Sequence, residues 1–281
     1  MGWMGLMLAC LTLLAAPAQA TVVRLNTALG KLDIALYDAS APRTVANFLG
    51  YVTRRDFDTT FFHRSIPGFV LQGGGYTWID AVSRVGEVHS APPVANEFSP
   101  TRLNTRGTVA MARIGGLPDS ATSEFFVNLA ANSFLDTTDG GFTVFGRVTG
   151  PGMLTVDAFA ALPTQSRGAG FEDLPVIGNP PLKAFIQRSN LAMVETAEVL
   201  IDTTEADRIF NYLEAAYPQY APTTGISTTG AGYYYRYYAA TDVYVGTANG
   251  QLYCLVPALG GQIQPLGSVA EWLGIAAAAG Y

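Results

Sequence analysis

Cysteine and histidine are scarce in this chain, with two of each in 281 residues. His63 and His89 have no Cys or His neighbours at ligand spacing, which argues against a zinc-type site, and no cofactor is expected. Basic charge is also limited, with 16 Lys and Arg against 22 Asp and Glu and a formal charge of -6. No basic run occurs, so neither a nucleic-acid groove nor an anionic membrane surface fits as the main partner. The cluster Gly73-Gly74-Gly75 lacks the Lys and the helix of a phosphate-binding loop and reads as a turn. No repeat recurs at solenoid spacing.

The first twenty residues contain no charged side chain. They hold one apolar stretch, residues 6–16, and end in Ala18-Gln19-Ala20, a small-x-small pattern suited to a signal peptidase. The stretch is short for a membrane span, so residues 1–20 are expected to be a signal peptide. The mature chain is then periplasmic or secreted, with no stable membrane insertion. Cleavage after Ala20 removes Cys10 and leaves Cys254 as the sole thiol, which precludes an internal disulfide.

Against these absences, 49% of the residues are hydrophobic, ample for a packed core. Residues 21–26 and 31–37 alternate apolar and polar around Gly30, as a hairpin does. Val45, Phe48, Leu49 and Val52 recur at helical spacing behind Ser40 and Pro42. Short β-rich runs follow at residues 60–66, 69–72, 108–113, 124–129 and 143–148, then a second helix at 153–162 and a closing strand at 191–200. Many strands flanked by two helices suggest a barrel capped at its ends.

Composition changes near Asp202. Residues 204–217 form an amphipathic helix pattern with Ile209, Phe210, Leu213 and Tyr217 on one face, opened by a capping box from Thr204 to Asp207. A polar stretch, 221–232, precedes the tyrosine cluster 233–238. Asn249-Gly250 between two apolar runs is a strong hairpin signal, and residues 268–279 end the chain as a helix with a capping box to Glu271. The expected division is therefore 1–20, 21–201 and 202–281, the last a small α+β module.

The run Phe61-Phe62-His63-Arg64-Ser65-Ile66-Pro67-Gly68-Phe69-Val70-Leu71-Gln72-Gly73-Gly74 resembles the signature of the cyclophilin family. Gly107-Thr108-Val109-Ala110-Met111-Ala112-Arg113, Ser123-Glu124-Phe125-Phe126-Val127, Phe134-Leu135-Asp136 and Val144-Phe145-Gly146-Arg147-Val148 follow in the family's order. The resemblance spans residues 21 to 201. It implies a mainly β fold, a closed eight-stranded antiparallel barrel capped by two helices, and peptidyl-prolyl cis-trans isomerase activity on proline-containing polypeptides.

That activity can be checked against physical chemistry. Resonance sets a barrier of about 18–20 kcal/mol to rotation about a peptide bond. Uncatalysed prolyl exchange takes roughly tens to hundreds of seconds. Reaching milliseconds needs about five decades, near 7 kcal/mol. In the twisted transition state the proline nitrogen regains its lone pair, and a donor aimed there stabilises that state selectively.

The resemblance makes Arg64 that donor, with Gln72 and Phe69 completing the catalytic group. Gln72 is expected to hold Arg64 or the substrate carbonyl. Phe69, Val70, Phe126 and Leu135 are expected to form the proline pocket, with Phe134 and Phe142 beside it. The backbone at Ala112 and Arg113 is expected to pair with an extended substrate.

His63 is expected to face away from the site, because adjacent strand side chains point oppositely. Three positions depart from the family's pattern. Glu124 stands where Gln is common and is expected to pair with Arg64, orienting it while lowering its field. Phe134 replaces a Trp and lacks the indole donor, which implies weak cyclosporin binding. Phe142 replaces a frequent His. The competing reading is a non-catalytic cyclophilin-fold chaperone or binding module, with the tail mediating partner or surface attachment.

Overall fold

The computed structural model describes residues 20–202 and 204–281, so the expected leader, apart from Ala20, lies outside the described residues. The first hairpin pairs β1 (Val22–Thr27) with β2 (Gly30–Leu36), matching Leu25 to Leu32 and Arg24 to Asp33. Alternation sends Val23, Leu25, Leu32, Ile34 and Leu36 into the main core. Helix α1 (Pro42–Thr53) starts on a proline and buries Val45, Phe48, Tyr51 and Val52. Its first turn has no cap from its own N-cap residue. Instead the Glu97 carboxylate accepts the N–H groups of Arg43 (3.2 Å) and Thr44 (2.8 Å).

The run expected as one strand at 60–66 divides at His63 into β3 (Thr60–Phe62) and β4 (Arg64–Ile66). Then come β5 (Val70–Gly73), β6 (Tyr76–Ile79), β7 (Arg84–Glu87), β8 (Thr108–Met111), β9 (Phe125–Asn128) and β10 (Val144–Val148). After α2 (Gly152–Ala160) and the small ladder of β11 (Thr164–Gln165) with β12 (Leu174–Pro175), β13 (Ala192–Val199) pairs with both β1 and β3. The fold is mainly β, with a curled antiparallel sheet of eleven strands ordered β4-β5-β9-β8-β10-β2-β1-β13-β3-β6-β7. It exceeds the expected eight because of the division at His63 and the added β6–β7 hairpin. One core, rich in Phe48, Phe57, Phe62, Phe125, Phe145 and Phe159, joins the sheet to both helices.

The remaining residues build α3 (Glu205–Ala216), a five-stranded meander of β14 (Ser227–Gly230), β15 (Tyr233–Tyr238), β16 (Val243–Ala248), β17 (Gln251–Leu255) and β18 (Ile263–Ser268), and α4 (Val269–Ala279). Both expected capping boxes form, Thr204 with Asp207 and Ser268 with Glu271. Asn249 (φ 50) and Gly250 (φ 73) make the tight turn between β16 and β17. A second core gathers Ile209, Phe210, Leu213, Tyr238, Val243, Val245 and Leu252. Tyr217, expected on the same helix face, instead sits at the C-cap and is 39% exposed.

The two cores meet through buried polar groups. Glu214 of α3 pairs with Arg24 of β1 and with Arg236 of β15 (2.9 Å), and all three side chains are buried. The Tyr281 hydroxyl donates to Asp33 at 2.6 Å. Lys31 donates to the carbonyls of Ala221 (2.7 Å) and Glu214 (3.1 Å). The outward polar residues of the first hairpin thus serve as the docking surface for α3 and the C-terminus.

Candidate active site

Antiparallel pairing of β4 and β5 sets Arg64 opposite Gln72, and the next pairing sets Gln72 opposite Phe126 of β9. This register brings a guanidinium, an amide and an aromatic ring to one edge of the sheet. Arg64 Nη1 donates to Gln72 Oε1 at 3.3 Å, and its Nε lies 3.7 Å from an Asp173 carboxylate oxygen. Its guanidinium carbon sits 5.9 Å from the Phe69 ring centroid. The Arg64 side chain remains 38% exposed, accessible to a ligand.

Beside it lies an apolar cluster of Val70, Ala110, Phe126, Leu135 and Val144, edged by Phe69, Ala112 and Phe142. Val70 and Phe126 come from the paired strands β5 and β9, while Leu135 sits on a short helical turn after Asn132. Asn132 fixes that turn by donating to Asn128 Oδ1 (2.7 Å) and to the Phe69 carbonyl (2.9 Å). Phe134 is 55% exposed and stacks on Phe69 with centroids 5.5 Å apart. Phe142 meets Phe126 edge-on at 5.9 Å. The result is an aromatic and apolar cluster flanked by two guanidinium groups, Arg64 near Phe69 and Arg113 over Phe142.

Two residues sit otherwise than expected. Glu124 accepts from Gln72 Nε2 at 2.6 Å and reaches Arg64 through that amide rather than by direct pairing. His63 is not separated from the site: its ring meets Tyr76, as Phe61 does, and its Nε2 lies 3.5 Å from Glu124 Oε2, the carboxylate that accepts from Gln72. Burial pushes the Glu124 carboxyl up, but the contacts with His63 and Gln72 outweigh it and hold the group below its usual range. Arg113 turns its side chain to the carbonyls of Thr138 (3.0 Å) and Asp139 (3.2 Å), 4.1 Å over the Phe142 ring. The Ala112 N–H bonds to the Glu124 carbonyl at 2.9 Å. Asp173, beside Arg64, carried no sequence signal: the acidic pair Glu172-Asp173 after a glycine-containing loop looks like any solvated charge.

A family model described as cyclophilin type peptidyl-prolyl cis-trans isomerase/CLD matches residues 22–178. The chain is 45% identical over 150 residues to a peptidyl-prolyl cis-trans isomerase of Acinetobacter baylyi, spanning 53% of this chain and 76% of that protein. It is 41% identical over 162 residues to peptidyl-prolyl cis-trans isomerase A of Dickeya dadantii, covering 57% and 81% respectively. For peptidyl-prolyl cis-trans isomerase cyp18 of Streptomyces antibioticus the identity is 42% over 161 residues, covering 56% and 92%. By the span and strength of these matches, the chain belongs to the cyclophilin-type peptidyl-prolyl cis-trans isomerases.

Proposed function

We propose that this protein accelerates the cis-trans isomerisation of Xaa-Pro bonds in exported polypeptides and so assists their folding. The carrying observation is a guanidinium, held by Gln72, near Phe69 at the edge of an apolar cluster of Val70, Phe126 and Leu135. A proline ring placed against Val70, Phe126 and Leu135 gains affinity by burial. Arg64, permanently charged, then donates toward the proline nitrogen as amide resonance is lost, which lowers the barrier without a nucleophile or cofactor. A pure binding module has no use for an oriented guanidinium, which favours the enzyme. Exchange NMR on a short Xaa-Pro peptide tests this. Cis-trans exchange accelerated by catalytic amounts of protein supports it; exchange at the uncatalysed rate rejects it.

The curled sheet reads in this account as the eight-stranded closed barrel of the family, with β3 and β4 acting as one bent strand that pairs with β13 on one side and β5 on the other. His63 N–H donating to the Gln72 carbonyl at 3.0 Å supports that continuity. Residues 21–201 form the catalytic unit and 202–281 an appended α+β module. The uncharged, apolar first twenty residues support export to the periplasm or beyond.

One observation favours a binding role for the appended module. Tyr233, Tyr235, Tyr244 and Tyr253 line a half-open cavity of about 300 Å³ on the sheet. Such side chains are enriched at interfaces. Capture of exported proteins by the wild type but not by a Tyr235→Ser/Tyr253→Ser variant supports that role, and equal capture rejects it.

A further inference from the structure

The amide of Gln72 has two faces, and which one meets Arg64 decides whether the guanidinium is held or repelled. An amide oxygen accepts from a guanidinium, whereas an amide nitrogen confronts it donor to donor. Nothing in Gln72 itself selects between these. Glu124 does, because a carboxylate accepts and cannot donate: it takes Gln72 Nε2 at 2.6 Å, which leaves Oε1 facing Arg64 Nη1 at 3.3 Å. Behind the carboxylate stands His63, nearly fully buried, with Nε2 at 3.5 Å and its ring edge-on to Tyr76 at 4.9 Å between centroids. Gly75 closes the opposite side, where an added Cβ would meet Glu124 Oε1 at 2.5 Å.

We propose that Glu124 and His63 are positioning residues for the isomerase reaction, the carboxylate locking the Gln72 amide with its oxygen toward Arg64 and the imidazole holding the carboxylate in place. The inference rests on the proposed isomerase activity and adds two residues to it. A glutamine at position 124 lacks this selectivity, because its own amide can present either a donor or an acceptor to Gln72. The groups around the carboxylate are His63 from the β3–β4 junction, Gln72 from β5 and Tyr76 from β6, the last also near Glu87 and Glu172. Arg64, at the far end of the relay, is faced by Asp173.

Two variants preserve shape while removing one link each. Glu124→Gln keeps the volume, and His63→Phe keeps an aromatic ring against Tyr76 while deleting Nε2. Circular dichroism and thermal melts establish that both fold. Two readouts follow: the Gln72 side-chain amide resonances by NMR, and turnover of an Xaa-Pro peptide against pH. In the wild type, one Gln72 Nε2 proton is expected downfield, as for donation to a carboxylate. In Glu124→Gln it moves upfield, and turnover falls about tenfold with KM little changed.

Turnover needs the carboxylate as acceptor, so it is lost as pH falls through the Glu124 pKa. In His63→Phe that loss moves to higher pH, because a contact that holds the carboxyl low is gone. Unchanged Gln72 resonances in Glu124→Gln overturn the proposal. So do resonances that move while turnover and its pH profile stay fixed. A wild type without activity refutes the isomerase reading, and the Gln72 resonance then still decides whether Glu124 locks the amide.

Discussion

Arg24 and Asp33 face each other across the β1–β2 hairpin in a two-pronged ion pair, Nε to Oδ1 at 2.8 Å and Nη2 to Oδ2 at 2.6 Å, with neither side chain exposed. They lie on the face of the sheet opposite the main core, where an uncovered sheet would meet water. Here α3 and the C-terminus cover them, and the Arg24 guanidinium also donates to the Asn211 carbonyl at 2.8 Å. Residues 204–281 are therefore packed onto the curled sheet through buried charge. Removing one partner from such a network leaves the others buried and uncompensated.

Arg24→Ala is expected to destabilise the protein by about 3–5 kcal/mol, since Asp33 and Glu214 lose their common cation. Urea unfolding measures this directly. A change under about 1 kcal/mol, the range of exposed pairs, contradicts the docked arrangement. Deleting residues 203–281 uncovers the same charges together with Val22 and Ala35, and is expected to lower the melting temperature of what remains.

Lys31 provides a pH test of the same interface. Burial, aided by the nearby Arg24 cation, pulls its ammonium from the ordinary 10.5 down to about 8. The unfolded chain thus holds this proton more tightly than the folded one between about pH 8 and 10.5. Its contribution to stability is fully present above the ordinary value and is lost as pH falls through about 8. Tyr238 and Tyr281, pushed up mainly by burial, act oppositely: their contribution is present below the ordinary value of 10 and is lost at higher pH. Comparing wild type with Lys31→Met cancels the tyrosines. The wild type should gain on the variant from pH 7 to 10, and a constant difference refutes the assignment.

How much of this was readable beforehand depends on what each residue meets. The helix caps at Thr204 and Ser268 and the turn at Asn249-Gly250 are local devices, complete within four residues, and they form as read. Strand β14 escaped notice because Ser227-Thr228-Thr229-Gly230 is a polar edge with no apolar alternation, and β18 because Pro265 interrupts it. The burial of Arg24 and Asp33 was invisible, since their alternation is that of any solvated hairpin face. His63 was misread because the side it shares with Phe61 against Tyr76 also holds Glu124, which links back to Gln72, a contact between distant segments. The clustering of Val70, Phe126 and Leu135 was legible through resemblance, whereas the relay behind Gln72 depends on contacts between β5, the β3–β4 junction and the approach to β9 that no local pattern encodes.

The pocket should behave as a burial surface. Phe126, almost fully buried against Val70 and Leu135, is expected on truncation to alanine to cost about 3–5 kcal/mol of stability. If the protein is assayed well below its melting temperature, kcat/KM should fall by about tenfold to a hundredfold, the equivalent of losing one ring's burial. An unchanged kcat/KM in the folded variant places proline elsewhere.

Phe134 governs drug binding in the same account. Its exposed ring offers contact area but no indole donor. Weak cyclosporin binding is expected by calorimetry, and Phe134→Trp should strengthen it by about two- to tenfold, one hydrogen bond's worth. Nanomolar binding by the wild type contradicts this.

The central claim is that the Arg64 guanidinium stabilises the twisted prolyl bond, and exchange NMR of one Xaa-Pro peptide with wild type, Arg64→Lys and Arg64→Ala tests it most directly. A fast wild type, with both folded variants slower by about two to three decades, the scale of removing one transition-state donor, is the predicted result. Lysine should not rescue, because a point charge does not reproduce the planar fork held by Gln72. Equal rates in all three proteins would contradict the account.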